Sequence, residues 1–189
     1  MIDDPTLRLP TSRPVRRGLQ SLAFLLVLVL VILGAPAAAE ESSAFDRILA
    51  SYEPIRLALV QDTVDGIEAP ARDILVAIES LSSDYGAENA GVDAEHAATV
   101  EDLLGDLAVA AEALVAAGDL TSARDAFYDL SKPLVRYRAA IVASGRAEGS
   151  LPVVAFCSMA RRSWLQPAGT IGNPYHGQTM AECGEIVGA

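Results

Sequence analysis

The residues with the most chemistry lie between Phe156 and Gly184. Cys157 and Met159 stand two apart, Met180 and Cys183 stand three apart, and His176 falls between the pairs. Two-residue spacing puts side chains on one face of an extended segment, and three-residue spacing on one side of a helical turn. Gly172, Asn173, Pro174 and Gly177 are turn formers able to fold the second pair back onto the first. Four sulfur atoms and an imidazole are thus expected to converge. Soft thiolates and thioethers select Cu(I) and its relatives, and imidazole suits copper and zinc. The expected site takes Cys157 and Cys183 as primary ligands of Cu(I) or Ag(I), with Met159 and Met180 as soft partners and His176 optional. With His176 as a full ligand, Zn(II) becomes the lesser alternative. Arg161 and Arg162 are close enough in sequence to favour the thiolates.

A disulfide competes with this reading. Two cysteines in an exported protein pair by default, and a bridge across this 26-residue span would add about 3 kcal/mol. The methionines would then be core filler. The readings are not exclusive, since a redox change could switch the site between them. Trp164 is the expected apolar anchor of the segment, with Tyr175 of the Asn173-Pro174-Tyr175 turn packing on it. Leu165 and Gln166 read as packing residues. His96, among Glu95, Glu101 and Asp102, reads as a surface histidine before it reads as a zinc ligand. No histidine stands in a recognisable pairing with a serine or cysteine nucleophile, and there is no glycine-rich phosphate loop. The expectation is a binding protein and not an enzyme, a thiol enzyme using Cys157 being the minor alternative.

The elements that must position these residues begin after a leader. Arg8, Arg13, Arg16 and Arg17 precede an apolar run from Leu22 to Leu33, and Gly34, Pro36 and Ala37-Ala38-Ala39 follow. This pattern predicts a signal peptide over 1–39 and a periplasmic or secreted location, with no membrane contact after cleavage. An uncleaved anchor is the alternative. Loss of the leader's net +2 takes the chain from −11 to −13. From Glu40 to Asp129 there are 20 acids and 4 bases, and from Leu130 onward 3 acids and 6 bases. Such an acidic body disfavours nucleic acid as a partner.

Helical periodicity then recurs four times. Phe45 to Leu59 follows a capping box at Ser43–Asp46 and contains Pro54, which should kink the helix or move its start. Ile67 to Leu81 is amphipathic, and Ser82 to Val92 reads as a polar loop. A third helix runs from Val100 to Leu114 and ends at Gly118. Asp119 caps a fourth, from Leu120 to Ile141. Ala71-Arg72-Asp73 recurs as Ala123-Arg124-Asp125, a match that chance also explains. The predicted fold is all-α: an antiparallel four-helix bundle over 40–148, with a Cys/Met-rich tail over 149–189 packed on it as part of the same domain. The tail is expected to hold a short extended segment at Leu151–Phe156, then turns and a short helix.

The tail resembles the bacterial exported domain of unknown function family 3347, found alone or C-terminal to CusB-like heavy-metal efflux adaptor subunits. The resemblance rests on Cys157-Ser-Met-Ala160, Trp164-Leu-Gln166, Asn173-Pro-Tyr-His-Gly177, Met180 and Cys183-Gly184, taken in order. Ala123 to Ser131 is also similar. Ser158 stands where the family has proline, and His176 where it has tyrosine or phenylalanine. The resemblance implies a metal-handling role, with copper or silver as cargo and an efflux adaptor as partner. The alternative is a disulfide-stapled module that docks on such an adaptor, or on another envelope protein, without binding metal.

Overall fold

Ser43 opens the first helix as the sequence requires. Its hydroxyl accepts from the Asp46 amide (3.3 Å) and donates to the Asp46 carboxylate (2.7 Å), and α1 (Ala44–Val60) follows. The computed structural model describes residues 42–146, 149 and 151–188, so the leader expected over 1–39 lies outside it. Helix α1 runs through Pro54 without a break, with Pro54 exposed. Next come α2 (Glu68–Ser83), a single turn α3 (Ala87–Ala90) within the expected polar loop, α4 (Ala94–Glu101), α5 (Leu104–Ala116) and α6 (Leu120–Ala143). The expected third helix is two, interrupted at Asp102 and Leu103. Asp93 caps α4 through the His96 amide (3.0 Å), and Asp119 and Ser122 form a capping box at the start of α6. His96 Nδ1 lies 2.7 Å from the same Asp93 carboxylate, which accounts for this histidine as part of a helix cap. Among the described residues no helix is long and apolar enough to cross a membrane.

Helix α1 packs on α2, α2 on α5, α5 on α6, and α6 back on α1. The all-α four-helix bundle expected from the sequence is nevertheless wrong. The described residues form six helices and a three-stranded antiparallel sheet, making a mixed α/β structure. Strand β1 (Val153–Cys157) is central, flanked by β2 (Arg162–Gln166) and β3 (Glu185–Gly188). The β1–β2 register pairs Ala155 with Trp164 and Cys157 with Arg162, and β3 joins β1 through an irregularity at Val154 and Ala155. The physical reason is side-chain shape: Val153, Val154, Phe156 and Trp164 are β-branched or aromatic and suit a pleated, half-buried surface. The expected short helix of the tail is one 3₁₀ turn at Gly177–Met180.

A buried polar contact ties sheet to helices. The Tyr52 hydroxyl on α1 meets Ser131 Oγ on α6 at 2.7 Å and accepts the Leu165 amide of β2 at 3.2 Å. All three groups are buried, and a buried backbone N–H left unpaired would cost about 1–3 kcal/mol. Around this point Tyr52 stacks on Phe127 (4.6 Å), and Trp164 is fully buried. The described residues form one compact unit.

Candidate dithiol site

Cys157 is the last residue of β1 and is fully buried. The chain then turns through Ser158–Arg161 into β2, and this turn brings the Ala160 amide to 3.4 Å from the Cys157 sulfur. Cys183 comes from the segment between the 3₁₀ turn and β3, and its sulfur lies 3.2 Å from that of Cys157. Both are unbonded thiols, Cys157 buried and Cys183 partly exposed. Burial opposes ionisation of Cys157. The Ala160 amide, the Cys183 thiol, the Met159 amide and the Asn173 side chain outweigh it and hold this thiol below its ordinary range. Cys183 moves the other way, because its hydrogen bond to Cys157 and its own desolvation keep the proton on. The pair is therefore asymmetric: Cys157 is the more readily ionised sulfur, and Cys183 the one that keeps its proton. The help expected from arginine does not act here. Arg162 instead pairs with Asp125 (2.7 Å) and lies over the rings of Tyr128 (4.8 Å) and Tyr175 (5.4 Å).

Asn173 holds Cys183 in place. It is fully buried; its Nδ2 donates to the Cys183 carbonyl (2.7 Å), and its Oδ1 accepts from the amides of Tyr175 (2.8 Å) and His176 (3.2 Å). Its own amide donates to the Ala181 carbonyl (2.8 Å), which closes the loop across its neck. Pro174 is buried within this turn, and Tyr175 meets Trp164 edge-on at 5.8 Å while donating to the Ser163 carbonyl (2.7 Å). Two glycines are sterically required. A Cβ on Gly184 would stand 2.9 Å from the Trp164 ring, and one on Gly177 would run into the Asp62 carboxylate.

The other expected ligands are placed differently. Met159 is 67% exposed on the β1–β2 turn, and Met180 is partly exposed at the end of the 3₁₀ turn. The Nε2 of His176 is buried without a hydrogen-bond partner. Among the described residues no three His, Cys, Asp or Glu side chains converge as a metal-binding group. The structure thus brings Cys157 and Cys183 together but does not add His176 to them as a third such donor.

Sequence reasoning missed the residues that fasten this loop to the helices. Arg56 on α1 donates to the Gly172 carbonyl (2.9 Å), and Arg124 on α6 donates to the Pro174 carbonyl (2.9 Å) and pairs with Asp62. Gln178 donates through its amide to Asp62 (3.1 Å) and through its side chain to the Val60 carbonyl (2.8 Å). The available signal was Arg124-Asp125, the second copy of the repeated triplet. Both of its charged residues grip the tail, whereas Arg72 of the first copy only pairs with exposed Glu68. Compared with known protein families, with curated proteins and with solved structures, the chain matches none.

Proposed function

We propose that this chain is a soft-metal-binding protein of the cell envelope that takes one Cu(I) or Ag(I) between Cys157 and Cys183, as an accessory to heavy-metal efflux or tolerance. The observation that carries the reading is the pair itself: two unbonded sulfurs 3.2 Å apart, one held toward the thiolate by main-chain amides. Thiolates are the donors that select monovalent copper and silver. A structural zinc site wants four ligands, and the donors around this pair favour a low-coordinate monovalent ion over Zn(II). Met159, exposed on the turn beside Cys157, and Met180, whose carbonyl accepts the Cys183 amide (3.0 Å), are the soft side chains nearest in sequence to complete it. The resemblance to family 3347 supplies the efflux association, and the leader supplies the export. The test is native mass spectrometry of reduced, anaerobic protein titrated with Cu(I). One copper per chain is expected, lost in Cys157→Ser and Cys183→Ser; a double serine variant that keeps wild-type affinity overturns the assignment.

The same closeness favours a second reading in oxidising surroundings, a disulfide between β1 and the segment before β3. The chain would then be a stapled interaction module, its partner an efflux adaptor or another envelope protein. A mass lower by two hydrogens, with no metal taken up even after reduction, selects this reading over the first.

A further inference from the structure

A cavity of about 800 Å³ lies where α5, α6 and the β1–β2 hairpin meet, a size suited to a small organic molecule. It does not include either cysteine. Its apolar lining comes from Phe156, partly exposed on β1, Tyr128, partly exposed on α6, and Val109 on α5, which is 67% exposed. Three of the six bases found from Leu130 onward line it: Lys132, Arg136 and Arg161. Lys132 is matched by Asp129 (2.8 Å), and Asp106 adds one further carboxylate to the lining. Arg136 and Arg161 are exposed, and among the described residues neither guanidinium has an ion-pair or hydrogen-bond partner.

Arg161 carries a second signal. Its φ is +55°, one of two positive values at non-glycine residues among the described residues. Glycine takes this conformation without steric cost, and an L-residue does not. The turn thus keeps a guanidinium at the cavity edge against the preference of its own backbone, and strain of this kind clusters at binding sites.

From these observations we infer that the cavity binds a small amphipathic organic anion, its apolar body against Phe156, Tyr128 and Val109 and its carboxylate or sulfonate on Arg136 and Arg161. Charge selects the class: on a chain of net charge −11, three bases against the carboxylates of Asp106 and Asp129 leave this lining net positive, which attracts an anion and disfavours a cation. The site is separate from the dithiol and does not depend on metal.

The test is a fluorescence titration of the chain with 8-anilinonaphthalene-1-sulfonate, with dodecanoate as competitor. One saturable site displaced by dodecanoate is expected. Arg136→Gln and Arg161→Gly should each weaken it about tenfold. Arg161→Gly should melt no lower than wild type, because glycine relieves the backbone while removing the charge. The Cys157→Ser/Cys183→Ser variant should bind the probe as wild type does. The uncharged N-phenyl-1-naphthylamine should bind more weakly and be indifferent to both arginine changes. Wild-type affinity for the sulfonate in both arginine variants, or equal binding of the charged and uncharged probes, overturns the inference.

Discussion

Replacing Asn173 with alanine tests the claim that one buried amide seats Cys183. The change removes three side-chain hydrogen bonds at once: to the Cys183 carbonyl (2.7 Å) and from the amides of Tyr175 (2.8 Å) and His176 (3.2 Å). Each contributes about 1 kcal/mol net, and groups left buried without partners add to the loss, so about 3–4 kcal/mol is expected. Trp164, the only tryptophan and fully buried, reports unfolding by fluorescence. With a urea slope of about 2 kcal/mol/M, the midpoint under reducing conditions should fall by roughly 1.5–2 M. The loop loosened by the change should also raise the rate at which both thiols react with a disulfide reagent in the native state. Asn173→Asp keeps the acceptor for Tyr175 and His176 but sets a carboxylate against the Cys183 carbonyl. It should be the milder variant, and should recover stability as acid protonates the new carboxyl. A midpoint shift below about 0.5 M for Asn173→Ala, with unchanged thiol reactivity, would refute the seat.

Oxidation of the pair should stabilise the chain by about 3 kcal/mol, read as a higher melting temperature without reductant than with it, and the difference should vanish in Cys157→Ser. Tyr52→Phe removes the acceptor of the Leu165 amide and a partner of Ser131, and should cost about 1–3 kcal/mol by urea unfolding. The Arg124 guanidinium and the Gln178 amide hold Asp62 below the usual carboxylate range. Its stabilising effect is therefore complete above the unfolded value near pH 3.9 and is lost as pH falls through the lower folded value. Asp62→Asn should melt below wild type at pH 7, and circular dichroism melts should show the gap closing as pH falls below the ordinary carboxylate range. A gap that persists at that acidity would place the effect of the substitution elsewhere.

The helices were legible because their signals are local. Ser43 with Asp46 and Asp119 with Ser122 each satisfy an amide within three residues, and the apolar face of α6 repeats at helical spacing to Ile141; the single turn α3 and the Asp93 cap of α4 went unread. The break at Asp102 and Leu103 was not legible, since the apolar series through Val100, Leu103, Leu104 and Leu107 is continuous and all four are buried. The sheet was hidden for a different reason. A hairpin is usually marked by Asn-Gly or Gly at the turn, and here a positive-φ position is filled by Arg161. The third strand, Glu185–Gly188, is a short exposed edge whose partner β1 lies 28 residues upstream. Pairing over such a separation leaves no pattern in a local window.

The site divides along the same line. Turn formers around Asn173 and Gly177 led the sequence reading to fold Met180 and Cys183 back onto Cys157 and Met159; of that expected convergence the structure shows Cys183 beside Cys157, because turn chemistry is carried by the residues that make the turn. Spacing said nothing of the depth of each donor, which depends on where distant helices contact the loop. Cys157 is buried because it ends the central strand, and Met159, two residues on, is exposed because the same strand has turned to solvent. The loop that brings Cys183 is fixed by Arg56, Arg124 and Gln178 to α1 and α6, over separations of 116, 50 and 118 residues. Reactivity at the sulfur pair is therefore set by helix packing as much as by the tail. Loosening α1 against α6 would move Cys183 and leave Cys157 in its strand, separating two sulfurs whose distance governs their oxidation and the metal binding proposed for them.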